Sequence, residues 1–101
     1  MLKAGSNTFK YVTTFKTKAS IYRNTASNAA TIAGLVGGPV GAFTTIVGII
    51  SGFRSYGLKE VYIKIDQYYN SYTHYVKNYF YFYKKSNYTS LIKSTTESFN
   101  I

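Results

Sequence analysis

Alternating apolar and polar residues near the start of the chain predict a β-strand. Over residues 9–22 the alternation has the period of two that is typical of a half-buried strand. One face of this strand would hold the aromatic and aliphatic side chains of Phe9, Tyr11, Phe15 and Ile21. The opposite face would hold Lys10, Lys16 and Lys18.

The middle of the chain is apolar, and residues 24–53 contain no ionisable side chain. The Gly-Gly-Pro sequence at its midpoint is typical of a turn, because proline cannot donate the hydrogen bond of a helix interior. We therefore expect two short helices that form a hairpin. The first covers residues 25–36 with Asn24 or Thr25 as its N-cap, and the second covers residues 39–54 with proline at its first position.

The last part of the chain alternates again and predicts a sheet rich in tyrosine, since ten of the twelve tyrosines lie between Tyr56 and Tyr88. Strands are expected over residues 60–66, 75–83 and about 88–95, with turns at 70–71 and 84–87. One face of the first two strands would hold Val61, Ile63, Ile65, Val76, Phe80 and Phe82. The other would hold Tyr62, Lys64, Asp66, Tyr75, Lys77, Tyr79, Tyr81 and Tyr83.

These elements predict an α+β fold, in which an N-terminal strand and a Gly-rich helical hairpin precede a Tyr-rich three-stranded antiparallel meander. The first strand is free to join the sheet. A chain of 101 residues supports one domain, and we divide it into a basic arm (1–24), the apolar hairpin (25–55) and the Tyr/Lys-rich sheet (56–101).

The apolar hairpin has three interpretations, and one of them is a signal-like or anchor segment without membrane activity. Its length and hydropathy fit a membrane-spanning segment, and small residues at helical spacing allow helices to associate closely in lipid. The residues expected to insert into the membrane are Ile32, Leu35, Val36, Phe43, Ile46, Val47, Ile49 and Ile50. Those expected to pack helix on helix are Ala30, Gly34, Gly37, Gly38, Gly41, Gly48 and Gly52. Alternatively, the hairpin is the buried core of a soluble domain.

Positive charge flanks the hairpin on both sides. The net charge is +9, and it divides into +5 for residues 1–53 and +4 for residues 54–101. Such a charge favours anionic partners. The residues expected to bind an anionic surface are Lys16, Lys18, Arg23, Arg54, Lys59, Lys77, Lys84 and Lys85.

Tyrosine interleaved with lysine fits a membrane interface, where the ring is buried and the hydroxyl is hydrated, and it also fits single-stranded nucleic acid. We favour the membrane, because a nucleic-acid module has no use for a Gly-rich apolar hairpin. Cross-strand tyrosine pairs also stabilise small sheets without any ligand, so no single tyrosine indicates a function.

The composition leaves little for catalysis. The chain has no cysteine, three acidic residues and one histidine, His74, so neither an enzyme nor a metal or cofactor site is expected. The Gly-rich stretch also lacks the Lys-Ser/Thr ending of a phosphate-binding loop.

The segment ASNAATIAGLVGGPVGAFTTIVGIISGF and the later YFYFYKKSNYTSLIKST, joined to a basic arm, resemble small secreted cationic bacteriocin-like peptides of Gram-positive bacteria. That resemblance implies a secreted antibacterial protein that acts on anionic phospholipid membranes, with self-association in lipid and an immunity protein as further partners. The alternative is a soluble non-enzymatic domain whose Tyr/Lys sheet face binds a protein, a wall glycan or nucleic acid. No apolar signal region precedes residue 25, so a mature form, a leaderless product and a fragment all stay open.

Overall fold

The computed structural model describes residues 8–22 and 25–101. Within them, strand β1 (Lys10–Ser20) is followed by helix α1 (Thr25–Val36), a 3-10 turn (Val40–Phe43), helix α2 (Thr44–Gly52) and a second 3-10 turn (Phe53–Tyr56). Strands β2 (Glu60–Asn70), β3 (Tyr75–Tyr83) and β4 (Leu91–Asn100) complete this part of the chain. We call the segment from α1 to the second 3-10 turn the helical layer.

The four strands form one antiparallel sheet in the order β1-β2-β3-β4, so each strand pairs with its neighbour in sequence. The N-terminal strand joins the sheet beside β2, with Phe15 opposite Ile65. The predicted α+β layout is therefore confirmed, and α1 has the predicted bounds. Asn24, one of the two predicted N-caps, lies outside the described residues.

The helical layer covers one face of the sheet and builds the core with it. Val61, Ile63 and Ile65 of β2 are fully buried, as are Phe80 and Phe82 of β3. Every second residue of these two strands therefore faces the helices, as the alternation predicted. Phe43 packs edge-to-face on Phe80, with ring centroids 6.3 Å apart, and joins the first 3-10 turn to the sheet.

A β-bulge in β1 overturns the prediction that one alternation runs through the whole strand. Tyr11 lies opposite Tyr68, whereas Thr13 lies opposite Gln67, so an extra residue stands at Val12. Because of the extra residue, the side chains before the bulge point to the opposite face of the sheet from the one that the alternation predicts. Tyr11 therefore lies on the same face as Lys16 rather than with Phe15, and Lys10, opposite Tyr69, lies on the helix side.

Three other predicted elements have different bounds. Strand β2 continues to Asn70 instead of ending at residue 66, so the turn after it covers residues 71–74, and β4 ends at Asn100 instead of near residue 95. The expected continuous second helix is divided into 3-10, α and 3-10 segments, and Pro39 precedes it in an extended conformation (φ −72°, ψ 143°) instead of occupying its first turn. Strand β4 starts at Leu91 rather than near residue 88. Tyr88 and Ser90 have φ of 59° and 62°, and a left-handed backbone cannot continue a strand.

Gly38 permits a close approach between the helical layer and Phe99 of the sheet. A Cβ at this position would lie 2.7 Å from the ring of Phe99 and 3.0 Å from that of Phe43. We expect Gly38→Ala to lower the free energy of unfolding by about 1–3 kcal/mol, because both rings are packed in the core and must move.

Gly48 provides the matched control for this prediction, because a Cβ there would meet no atom within 4 Å. Gly48→Ala lies inside α2 and is expected to raise the free energy of unfolding by up to about 1 kcal/mol. Urea denaturation of both variants measures the two effects. Equal stability of the two variants would contradict the packing of Phe99 and Phe43 around Gly38.

Candidate functional site: the open face of the sheet

The helices cover only one face of the sheet and leave the other open. Because β2 and β3 alternate, most of their polar and tyrosine side chains point to the open side, whereas Gln67, Tyr69 and Asn78 lie on the helix side. The bulge in β1 adds Tyr11 to them. We call this surface the Tyr/Lys face; it consists of Tyr11, Thr14, Lys16, Lys18, Tyr62, Lys64, Asp66, Tyr68, Tyr75, Lys77, Tyr79, Tyr81 and Tyr83.

Aromatic rings run across three strands of the Tyr/Lys face. Tyr68 of β2 packs edge-to-face on Tyr11 of β1, with centroids 5.7 Å apart, and on Tyr79 of β3, 5.3 Å apart. Such edge-to-face pairs stabilise neighbouring strands and fix the ring positions. The surface is therefore an ordered aromatic platform. Most of its tyrosines are half-buried, whereas Tyr11 and Tyr75 are exposed.

The other end of the face is completed by Tyr88, which comes from the loop between β3 and β4. Its ring packs edge-to-face against Tyr62 (6.3 Å) and Tyr83 (5.9 Å). Its hydroxyl donates to the carbonyl oxygen of Thr17 in β1, 3.4 Å away. The loop therefore reaches from one side of the sheet to the other and extends the aromatic surface.

Lysine side chains lie over these rings. The Nζ atoms are 5.0 Å from the centroid of Tyr81 for Lys64, 5.4 Å from that of Tyr79 for Lys77, and 5.2 Å from that of Tyr88 for Lys16. Cation–π attraction holds each ammonium near a ring while it stays hydrated. The face thus combines apolar surface with positive charge at its outer level.

Both carboxylates on this side of the sheet have partners. Asp66 accepts a hydrogen bond from the hydroxyl of Thr14 (2.8 Å), which in turn accepts one from the hydroxyl of Tyr11 (2.6 Å). Glu60, at the start of β2, lies 3.4 Å from Nζ of Lys18. Neither acid neutralises the three lysines that lie over the rings, so the face remains positive.

The outer surface of the helical layer is uncharged from residue 27 to 53. A Cβ added at Gly34, Gly41, Gly48 or Gly52 would meet no atom within 4 Å. These glycines therefore face outwards, as do the exposed Ala30 and Gly37. Gly38 differs from the other glycines expected to pack helix on helix, because a Cβ added there would meet neighbouring side chains.

The large apolar residues of the hairpin lie on the inner side of the helical layer. Of the eight residues expected to insert into a membrane, six are buried: Ile32, Val36, Phe43, Ile46, Val47 and Ile50. Leu35 and Ile49 are half-buried and pack against the core. In the described residues no single helix has the length and apolarity to cross a bilayer. The segments Ser27–Val36 and Val40–Tyr56 meet those criteria together, with a bend of 109° between them.

The cations predicted to bind an anionic surface are distributed over several parts of the molecule. Lys16, Lys18 and Lys77 lie on the Tyr/Lys face. Arg54 lies in the second 3-10 turn, where it donates to the carbonyl oxygen of Ile21 (3.3 Å) and lies over the ring of Tyr22 (5.2 Å). Lys59 precedes β2, and Lys84 and Lys85 are exposed in the β3–β4 loop. Arg23 lies outside the described residues.

The sequence pattern places Tyr11 and Tyr88 elsewhere, and it places Lys64 on this face without including it in the predicted binding set. Tyr88 was assigned to a strand, and no local pattern indicates that its loop would fold over the face.

The one histidine, His74, has a tyrosine hydroxyl beside its ring. Nδ1 of His74 lies 3.2 Å from the hydroxyl oxygen of Tyr69. Among residues 8–22 and 25–101, three or more His, Cys, Asp or Glu side chains do not come together anywhere in a metal-binding arrangement.

No protein family, curated protein or solved structure matches the chain.

Proposed function

We propose that this chain is a non-enzymatic cationic antibacterial protein that binds anionic phospholipid membranes through its Tyr/Lys face and permeabilises them with its helical layer. The observation that supports this proposal is the separation of charge between the two layers. The open face of the sheet holds ordered lysines and tyrosines, whereas residues 27–53 of the helical layer have no charged side chain.

The Tyr/Lys face has the chemistry of a membrane–water interface. Tyrosine rings partition to the headgroup level because the ring is apolar and the hydroxyl is hydrated. Each lysine near an anionic leaflet contributes about 1 kcal/mol of attraction, which is screened beyond a Debye length. Lys64 and Lys77 lie directly over the tyrosines that would enter the interface, so both terms act at one place.

The composition of the helical layer would allow it to leave the sheet and insert into lipid. Apart from the buried Asn28, its inner surface consists of aliphatic and phenylalanine side chains, for which hydrocarbon is as good an environment as a protein core. Hydrogen bonds join it to the sheet near its two ends, from Asn28 to the carbonyl of Ser20 (3.2 Å) and from Arg54 to that of Ile21 (3.3 Å). Between them, the side chain of Gln67 donates to the carbonyl oxygen of Val36 (3.0 Å). No charged group in residues 27–53 opposes transfer into the bilayer.

The competing function is a soluble binding domain whose Tyr/Lys face binds a protein, a wall glycan or nucleic acid. The burial of six of the eight large hairpin residues favours this alternative, because it gives the apolar segment a complete role inside the fold. The two functions differ in whether the protein associates with lipid.

Flotation with vesicles distinguishes them. We expect the protein to float with vesicles that contain phosphatidylglycerol and to remain in solution with purely zwitterionic ones. Raising the salt concentration should release most of the bound protein, because the attraction of the lysines is screened. Failure to float with anionic vesicles at low salt would exclude the membrane function and leave the soluble binding domain.

A further inference from the structure

The two edge strands of the sheet differ in their protection against pairing. The β1 edge has a bulge and three lysines, Lys10, Lys16 and Lys18, and both features discourage edge-to-edge association. Strand β4 has one lysine and one glutamate, Lys93 and Glu97, so its charges cancel.

The outer side of β4 is open for pairing. Strand β4 is the last in the sheet order, and none of the described strands hydrogen-bonds to its outer side. Its register with β3 shifts near Ile92, and from Lys93 to Asn100 the pairing is regular. This regular stretch contains no proline, and half of its residues are serine or threonine, which have little side-chain bulk to prevent another strand from approaching.

We propose that β4 pairs antiparallel with β4 of a second copy of this chain, in the register centred on Thr95. In that register Lys93 of each copy lies opposite Glu97 of the other. The interface is isologous, so the two-fold axis generates two identical Lys–Glu pairs and closes the assembly at a dimer.

The placement of the charges within β4 supports this register. Lys93, Thr95 and Glu97 alternate along one face of the strand, opposite Phe82, Phe80 and Asn78 of β3, so both charges lie on the helix side of the sheet. Residues directly opposite in antiparallel strands have Cβ atoms about 4.5–5.5 Å apart, within reach of an ion pair. Registers centred on Lys93 or on Glu97 would instead place like charges opposite each other.

The dimer would have one continuous eight-stranded sheet. Because a two-fold axis normal to the sheet keeps both helical layers on the same side, the two Tyr/Lys faces would lie side by side on the other. Dimerisation does not depend on the proposed function, and it would give any flat anionic partner two faces to bind at once.

Charge reversal at β4 tests the pairing. We expect sedimentation equilibrium of the full chain to show a reversible monomer–dimer equilibrium. Glu97→Lys would place lysine opposite lysine in both symmetric pairs and is expected to weaken dimerisation about tenfold. The double variant Lys93→Glu/Glu97→Lys exchanges the partners and is expected to restore the wild-type dissociation constant.

Glu60→Lys is the matched control, since it adds the same charge on β2, away from β4, and should weaken dimerisation less than Glu97→Lys. Circular dichroism establishes that each variant is folded, and the double variant shows whether a loss at Glu97 is due to charge. A monomer at every concentration would overturn the proposal. So would a dimer whose dissociation constant does not change with Glu97→Lys, or one whose dissociation constant the double variant does not return to the wild-type value. Assemblies that keep growing with concentration would indicate head-to-tail pairing of β4 with β1 and would also overturn it.

Discussion

Replacing both Gly34 and Gly41 with leucine is expected to abolish dye release from anionic vesicles while the protein still binds them. In the folded protein both positions face outwards, and an added Cβ meets no atom within 4 Å. The substitution therefore leaves the core intact, and leucine at Gly34 should favour α1 because glycine is a poor helix former. A loss of release would report on the lipid-bound state, where small residues allow helices to approach closely.

Thr31→Leu/Thr45→Leu is the control for this experiment. This variant adds two leucines at exposed threonines of the helical layer and keeps every glycine. It therefore matches the glycine variant in the number of added leucines. We expect this variant to release dye as the wild type does. If the Gly34→Leu/Gly41→Leu protein released dye equally well, the glycines would have no role in helix association, and the permeabilisation step would be wrong.

The strands of the sheet could be predicted where their two faces have different environments. Val61, Ile63 and Ile65 face the helices, while Tyr62 and Lys64 face outwards, and that contrast appears directly as alternation in the sequence. The same contrast in β3 gave its bounds without error. The first helix could be predicted because Gly-Gly-Pro ends it.

The remaining features depend on contacts that are distant in sequence or on single backbone angles. The bulge at Val12 brings Tyr11 to Tyr68, which is 57 residues away, and the sequence near Val12 does not indicate it. The late start of β4 follows from the positive φ of Tyr88 and Ser90, and neither residue type favours that conformation. The sequence therefore did not predict the start of β4 correctly, nor the contribution of Tyr88 to the face.

The uncharged run from residue 24 to 53 is compatible with lipid and with a protein core, and its sequence does not separate the two. In the folded protein, Ile32, Ile46 and Ile50 face the sheet, and the threonines and glycines at 31, 34, 41, 45 and 48 face outwards. This arrangement describes the resting state. Whether lipid replaces the sheet depends on the free-energy difference between two apolar environments, which hydropathy along the chain does not contain.

We propose that the membrane is bound by the Tyr/Lys face and not by the total positive charge of the molecule. Lys64→Gln/Lys77→Gln removes two charges that lie over tyrosine rings on that face. Lys10→Gln/Lys59→Gln removes two charges outside it, since Lys10 lies on the helix side of β1 and Lys59 precedes β2. Both variants have the same net charge, so their difference reports the position of the charge.

The deciding measurement is the partition coefficient of the two variants on phosphatidylglycerol vesicles at low salt. At about 1 kcal/mol for each lysine near the surface, Lys64→Gln/Lys77→Gln should bind about thirtyfold more weakly than the wild type. Lys10→Gln/Lys59→Gln should stay within a few-fold of the wild type. Equal losses for the two variants would show that binding follows net charge alone and would contradict a membrane site on the open face of the sheet.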